Sequence, residues 1–400
     1  MPETNPVPEE LPDFETICAH LGEDRTRYQG AVIPPICQNS LFTFPNCEAW
    51  AGTFALEGEP YHYTRVSNPT TEIVETKIAA LEGGARARCF GSGMAAISAA
   101  ILSCVKAGDH VVLPHTVYGP TRQFFATYLP RFGVEATFID GCDPQEWEDA
   151  RRPNTTLFFL ESPSSYLMKQ QDLMAVAAIA KAHGITTACD NSWASPIYQS
   201  PLALGIDLSI QSATKYLGGH SDIVAGVVIG DKARMKRLVL SEGLLLGGIL
   251  DPFAAWLLLR GLRTLPVRMA QHQQNARRIA RALCAHSAVQ TVFYPGLDSD
   301  VQAELTARQL RGTSGLMSIA LHDPSREAAF RFVNGLENFG IGCSWGGFES
   351  LAIPSNIPVA HIDGGQGYRW LVRLHIGLES ADTLWEDLRT ALENSVSQRA

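Results

Sequence analysis

Lys215 sits in "QSATKYLGGHSD" (residues 211–222), after the strand-like run "IDLSI" and before the pair Gly218-Gly219. An ammonium at the end of a buried strand is costly to desolvate, so this amine needs a chemical task. Ser212-Ala213-Thr214-Lys215 satisfies S-x-x-K, the acylating motif of penicillin-binding enzymes. That chemistry also needs S-D-N and K-T-G elements. Here "HSDI" carries Ile223 where Asn should stand, and K-T-G is absent. A Schiff-base lysine suits the position better, because desolvation and nearby positive charge lower an amine's pKa and make it nucleophilic.

Two further stretches fit the same task. In "CFGSGMAA" (89–96) a strand runs into Gly91-Ser92-Gly93 and a helix begins near Met94. Small residues let backbone amides approach an anion, and the helix start adds partial positive charge, which makes a phosphate cradle. The same letters match G-x-G-x-x-A through Gly91, Gly93 and Ala96. A dinucleotide site would need an acidic residue closing the next strand, and "VVLPHTVYG" has none. Asp190 closes "ITTACD" before "NSW". Alone it fits an Asx turn or a helix cap as well as it fits a ligand contact. Taken with the other two sites, it can hold a pyridinium nitrogen protonated. One ligand unites all three: pyridoxal phosphate, with its phosphate at Gly93 and Met94, its nitrogen at Asp190 and its aldehyde on Lys215. Ser212 and Thr214 offer hydroxyls to the same phosphate.

The elements that must position these groups are legible between residues 86 and 230. Strands are expected at 86–90, 109–114, 156–162, 185–190, 207–212 and 224–230, several of them continuously apolar, as in strands covered on both faces. Helical stretches separate them. In "DLMAVAAIAKAHG", Asp172 is the N-cap, Leu173, Val176, Ala177 and Ala180 share a face, and Gly184 ends the helix. This alternation predicts a doubly wound, largely parallel α/β sheet, whose ligands bind outside the carboxyl ends of the strands. Beyond residue 250 a long helical segment interrupted near Pro266 leads to "GLMSIAL", "VRLHIGL" and a last amphipathic helix, the texture of a smaller α+β domain. The first 60 residues are proline-rich and read as an extended arm packed on a neighbouring chain.

Composition bounds the function. The 400 residues are 46% hydrophobic and 18% charged, with a net charge of -9. That balance suits a globular chain of two domains and argues against a non-specific binder of nucleic acid or acidic membrane. The nine cysteines are scattered without a C-x-x-C pair, which predicts reduced thiols, a cytoplasmic setting and no metal site. The apolar run "GLLLGGILDPFAAWLLLRGL" is broken by Asp251 and Pro252, so a buried helix start is expected there and no membrane span.

Nine motifs in order carry a resemblance. They are "YTRVSNPT", "LEGGARARCFGSGMAA", "GDHVVLPHTVYG", "FLESPSS", "DNSWASP", "DLSIQSATKYLGGHSDIVAGVV", "RGLRTLPVRMAQHQQNA", "CSWGGFESL" and "VRLHIGLE". From about residue 28 onward the chain resembles the pyridoxal-phosphate enzymes of cysteine and methionine metabolism, the transsulfuration family. The resemblance implies the aspartate-aminotransferase type of fold (fold type I), with an N-terminal arm (1–65), a large cofactor-binding domain (66–260) and a C-terminal α+β domain (261–400). It implies that Lys215 bonds the cofactor and shuttles the proton, and that Asp190 holds the ring nitrogen. Tyr118 would stack on the ring and assist proton transfer. Gly93, Met94, Ser212 and Thr214 would bind the phosphate, joined by Tyr63 and Arg65 from a neighbouring subunit. Arg373 would grip the substrate carboxylate with Ser344 and Trp345 beside it, and Tyr63 of the neighbour would also reach the substrate. A homotetramer with shared sites is implied.

Within the family "SWGGFES" resembles the cystathionine β-lyase branch, where tryptophan stands at the position of Trp345; the γ-lyases and γ-synthases usually carry leucine there. The expected reaction is α,β-elimination of L-cystathionine to homocysteine, pyruvate and ammonia. A cystathionine γ-lyase or γ-synthase, or a β-lyase of cysteine and its conjugates, is the alternative. Two departures bear on the distal end of the substrate: Val66 replaces a second arginine, and Cys343 replaces a tyrosine sometimes found before the Ser-Trp pair.

Overall fold

The computed structural model describes residues 11–51, 60–362 and 364–397. Seven strands form the larger sheet: β1 (Arg86–Phe90), β2 (His110–Pro114), β3 (Glu135–Ile139), β4 (Thr155–Glu161), β5 (Thr186–Asp190), β6 (Leu208–Gln211) and β7 (Gly226–Gly230). Their order is β1-β7-β6-β5-β4-β2-β3. Only β7 runs against its neighbours, β1 and β6; every other pairing is parallel.

The continuous apolar strands explain why the sheet is covered on both sides. Successive residues point to opposite faces. Val111, Leu113, Leu157 and Phe159 meet the helix Gly93–Leu102 through Ile97 and Ile101 on one face. Val112, Phe158 and Leu160 meet Leu173, Val176, Ala177 and Ala180 on the other. Each such large apolar side chain contributes about 2 kcal/mol when fully buried. The expected N-cap holds, since Asp172 accepts from the backbone amide of Ala175.

A second sheet of five strands follows, with β8 (Val289–Phe293), β9 (Leu316–Leu321), β10 (Gly340–Ile341), β11 (Leu351–Pro358) and β12 (Tyr368–His375) in the order β10-β11-β12-β9-β8. Helices Arg326–Asn334 and Ala381–Ser397 pack with it through Phe332, Leu384 and Leu388. The helical segment after residue 250 breaks into Pro252–Leu262 and Leu265–Cys284. Pro266 lies in the first turn of the second helix, where a missing amide breaks no helical bond. No described helix is long and apolar enough to cross a membrane.

Two expectations are corrected. Strand β3 was not anticipated; it is an edge strand whose residues are only partly buried, so it lacks the apolar run that marked the others. The described part of the first 60 residues is not simply an extended arm. Helix Phe14–His20 buries Ile17 and Cys18, and the fully buried Lys77 donates to both of their carbonyls while pairing with Glu23 at 3.1 Å. Farther along, the amide of Cys37 bonds Thr70 and the Trp256 indole bonds the carbonyl of Pro34, while residues 29–46 are mostly irregular and exposed.

Candidate active site

The carboxyl ends of β1, β4, β5 and β6 open onto a single cavity of about 230 Å³. Gly93 and Met94, Glu161, Asp190, and Ser212, Thr214 and Lys215 all line it. From the opposite side come Trp345 and Arg373, the latter on β12 of the second sheet.

Helix Gly93–Leu102 points its start at the cavity. Ser92 caps it by accepting from the amide of Ala95, while the amides of Gly93 and Met94 precede the first helical bonds. A Cβ on Gly93 would stand 2.8 Å from the Ser212 hydroxyl, so the glycine is what lets the two strand ends close on one anion. Thr214 exchanges hydrogen bonds with Ala225, its hydroxyl donating at 3.1 Å and accepting at 2.9 Å.

Asp190 is buried and takes two hydrogen bonds on Oδ1, from the Ser192 amide (2.9 Å) and hydroxyl (2.6 Å). Its Oδ2 has no donor among the described residues, and the residue lines the cavity, an arrangement a protonated ring nitrogen would complete. Burial raises the Asp190 carboxyl from its ordinary value, opposed by the Ser192 bonds and by Lys215.

Sequence reasoning missed Glu161. It lies opposite Asp190 in the β4–β5 register, buried, and accepts from the Tyr118 amide at 2.6 Å and the Ser165 hydroxyl at 2.7 Å. Burial first, and the Asp190 charge second, push its carboxyl up to about 8. Burial thus raises both carboxyls, and Glu161 further because the Asp190 charge stands beside it. The signal was available, since Glu161 closes a buried strand just as Asp190 does.

Lys215 donates to the Ser344 hydroxyl at 2.8 Å, with its Nζ 5.3 Å from the centroid of the Trp345 ring. Gly346 (φ +86°) makes this approach possible, since a Cβ there would stand 2.9 Å from the Lys215 Cα. Burial and then the Arg373 charge bring the amine down to about 8. Only the neutral amine attacks an aldehyde. Capture of pyridoxal phosphate by apoprotein should therefore accelerate about tenfold per pH unit up to about pH 8 and level off above. Stopped-flow absorbance checks this; a rise continuing to pH ~10 would mean an ordinary lysine.

Tyr118 lines the cavity with its ring partly exposed, and burial raises its phenol. Arg373 is buried, has no carboxylate partner among the described residues, and makes one long hydrogen bond (3.5 Å) to the Ser344 carbonyl. The ring of Tyr166, a second residue missed from the sequence, lies 5.3 Å from its guanidinium carbon. Tyr63 and Arg65 do not join the cavity of their own chain; they stack on one another at 5.3 Å, with Tyr63 exposed. Val66 also stands outside it, its carbonyl held by Arg88 at 2.7 Å. Cys343 is exposed. All nine cysteines are free.

The donor set matches pyridoxal phosphate at each end: amides and hydroxyls for the phosphate, a half-paired carboxylate for the nitrogen, and a depressed amine for the aldehyde. Comparison with known proteins leads to the same chemistry. Residues 15–393 match the family described as Cys/Met metabolism PLP-dependent enzyme. The chain is 39% identical over 396 residues to an L-methionine gamma-lyase of Pseudomonas putida, covering 96% of this chain and 98% of that protein. It is 38% identical over 386 residues to a cystathionine gamma-lyase of Bacillus subtilis, covering 95% and 99%. The crystal structure of metB from Corynebacterium glutamicum superposes with a TM-score of 0.88 at 35% identity, over 96% of this chain and 98% of that one.

Proposed function

The chain belongs to the Cys/Met metabolism PLP-dependent enzymes, with pyridoxal 5'-phosphate as its cofactor, and from that premise we propose that it is a carbon–sulfur β-lyase acting on L-cystathionine. Bound there, the cofactor supplies an electron-withdrawing ring conjugated to the substrate Cα. Asp190 would keep the ring nitrogen protonated, and Lys215 would hold the aldehyde and be freed when substrate binds. Arg373 grips the α-carboxylate, which turns the Cα proton toward Lys215. The freed amine takes that proton and returns one to the departing sulfur, a role suited to a group titrating near neutrality. Ser344 orients the amine through their hydrogen bond. Homocysteine leaves, and pyruvate and ammonia follow by hydrolysis.

One observation carries the choice of β over γ elimination: the indole of Trp345 beside the Lys215 amine. That indole is itself braced by Tyr216, ring centroids 5.4 Å apart. A γ elimination needs the amine to move protons at Cβ as well as Cα. A lysine confined between an indole and the Ser344 hydroxyl is suited to the single position a β elimination uses. The γ reading is favoured by the names of the two relatives above, which share the same cofactor chemistry. Incubation with L-cystathionine separates the two. Pyruvate with homocysteine is expected; 2-oxobutyrate with cysteine would overturn the β assignment. Trp345→Leu should raise the share of 2-oxobutyrate about tenfold, as a change of pocket size does for closely related reactions. An unchanged product ratio would mean that Trp345 is only filler.

The stacking of Tyr63 on Arg65 away from their own cavity supports an assembly in which they complete a neighbour's site, a dimer at least and a homotetramer by family likeness. The nine free thiols support a cytoplasmic setting. Short side chains at Val66 and Cys343 support tolerance at the distal end of the substrate, extending to S-substituted cysteines.

A further inference from the structure

Tyr166 holds an unusual position. Its backbone has φ +62°, a left-handed conformation that bulky side chains rarely adopt, and residues kept there against such strain cluster at ligand sites. The turn brings the side chain into the cavity wall, where the ring covers Arg373, 5.3 Å from centroid to guanidinium carbon. The phenol oxygen accepts from the Ser355 hydroxyl at 2.8 Å. Register explains how one tyrosine reaches both. Ile353 pairs with Arg373 across β11 and β12, and Ser355, two residues along, shares the face of Ile353. A loop of the larger sheet is thereby pinned to the second sheet at the arginine. Among the described residues, the one hydrogen bond that Arg373 makes is the 3.5 Å contact to the Ser344 carbonyl.

We infer that Tyr166 is the positioning residue of the substrate-carboxylate site. Its ring fixes the plane of the Arg373 guanidinium so that both N–H groups face the cavity, and the Ser355 bond fixes the ring. A planar fork binds a carboxylate bidentately only if its plane is set beforehand. The inference rests on the amino-acid-substrate reading above and is independent of which bond the enzyme breaks.

The test uses cofactor-loaded protein and two amines without a leaving group, followed by the change in cofactor absorption. L-Alanine carries an α-carboxylate; ethylamine does not. In Tyr166→Leu the dissociation constant of L-alanine should rise about tenfold, the scale of a partly desolvated cation–π contact, with ethylamine unchanged. Tyr166→Phe and Ser355→Ala keep the ring and lose the hydroxyl bond, so each should weaken L-alanine about threefold and leave ethylamine alone. These two variants carry the test if the leucine variant does not fold. In an Arg373→Leu background, Tyr166→Leu should add nothing. Equal weakening of both amines, or no weakening of L-alanine in any variant, would overturn the inference. Wild-type protein that bound ethylamine and not L-alanine would overturn the amino-acid reading itself, a result distinct from any difference among variants.

Discussion

Replacing Lys215 with alanine is expected to lower pyruvate formation from L-cystathionine by about 10⁴-fold, the upper range for loss of a positioned proton-transfer group. The size follows from what surrounds the amine. Among the described cavity residues it is the amine whose pKa is lowered, since burial and Arg373 bring it down to about 8. Tyr118 does not replace it, because burial moves its phenol the other way. Single-turnover assays with excess cofactor separate loss of chemistry from loss of binding. The phosphate cradle and Asp190 are untouched, so the variant should still bind pyridoxal phosphate, without the covalent bond that borohydride traps in the wild type. Added methylamine should restore part of the rate. Activity within tenfold of wild type would remove Lys215 from the mechanism.

Arg373→Leu is expected to reduce kcat/KM by roughly 10²–10³, most of it in KM, as for truncating one partner of a buried hydrogen-bonded charge pair. The guanidinium is buried and lacks a carboxylate among the described residues, so on the proposed reading a bound substrate carboxylate would supply its counter-charge. Arg373→Lys keeps the charge and loses the fork, and should recover less than a tenth of the loss. The substitution also removes the positive charge that depresses Lys215, so the amine's pKa should rise in the leucine variant. The pH at which cofactor capture levels off should then move upward. A leucine variant with unchanged KM and unchanged pH profile would place the carboxylate elsewhere.

Much of this cavity's lining is legible in the sequence. Lys215, Asp190 and the Gly93 turn stood out because each put a polar or glycine residue at the end of an apolar strand, a local conflict that function resolves. Glu161 obeys the same rule, pairing with Asp190 in register and holding the Tyr118 amide. Arg373, Ser344 and Trp345 were reached through family resemblance alone, because nothing local distinguishes them from an ordinary strand and loop.

By itself the sequence determined the alternation of strands and helices, the strand ends that line the cavity and the net negative charge. All of these are set by side-chain type and period along the chain, a short-range property. Tertiary structure decided the rest. The lowered amine of Lys215 depends on burial and on a charge 158 positions away along the chain at Arg373. The raised carboxyls of Glu161 and Asp190 depend on the pairing of two strands, and the Tyr166–Arg373–Ser355 contact on a left-handed backbone meeting a register in another sheet. Electrostatic coupling and stacking fall off over a few ångströms in space, and distance along the chain does not encode that separation.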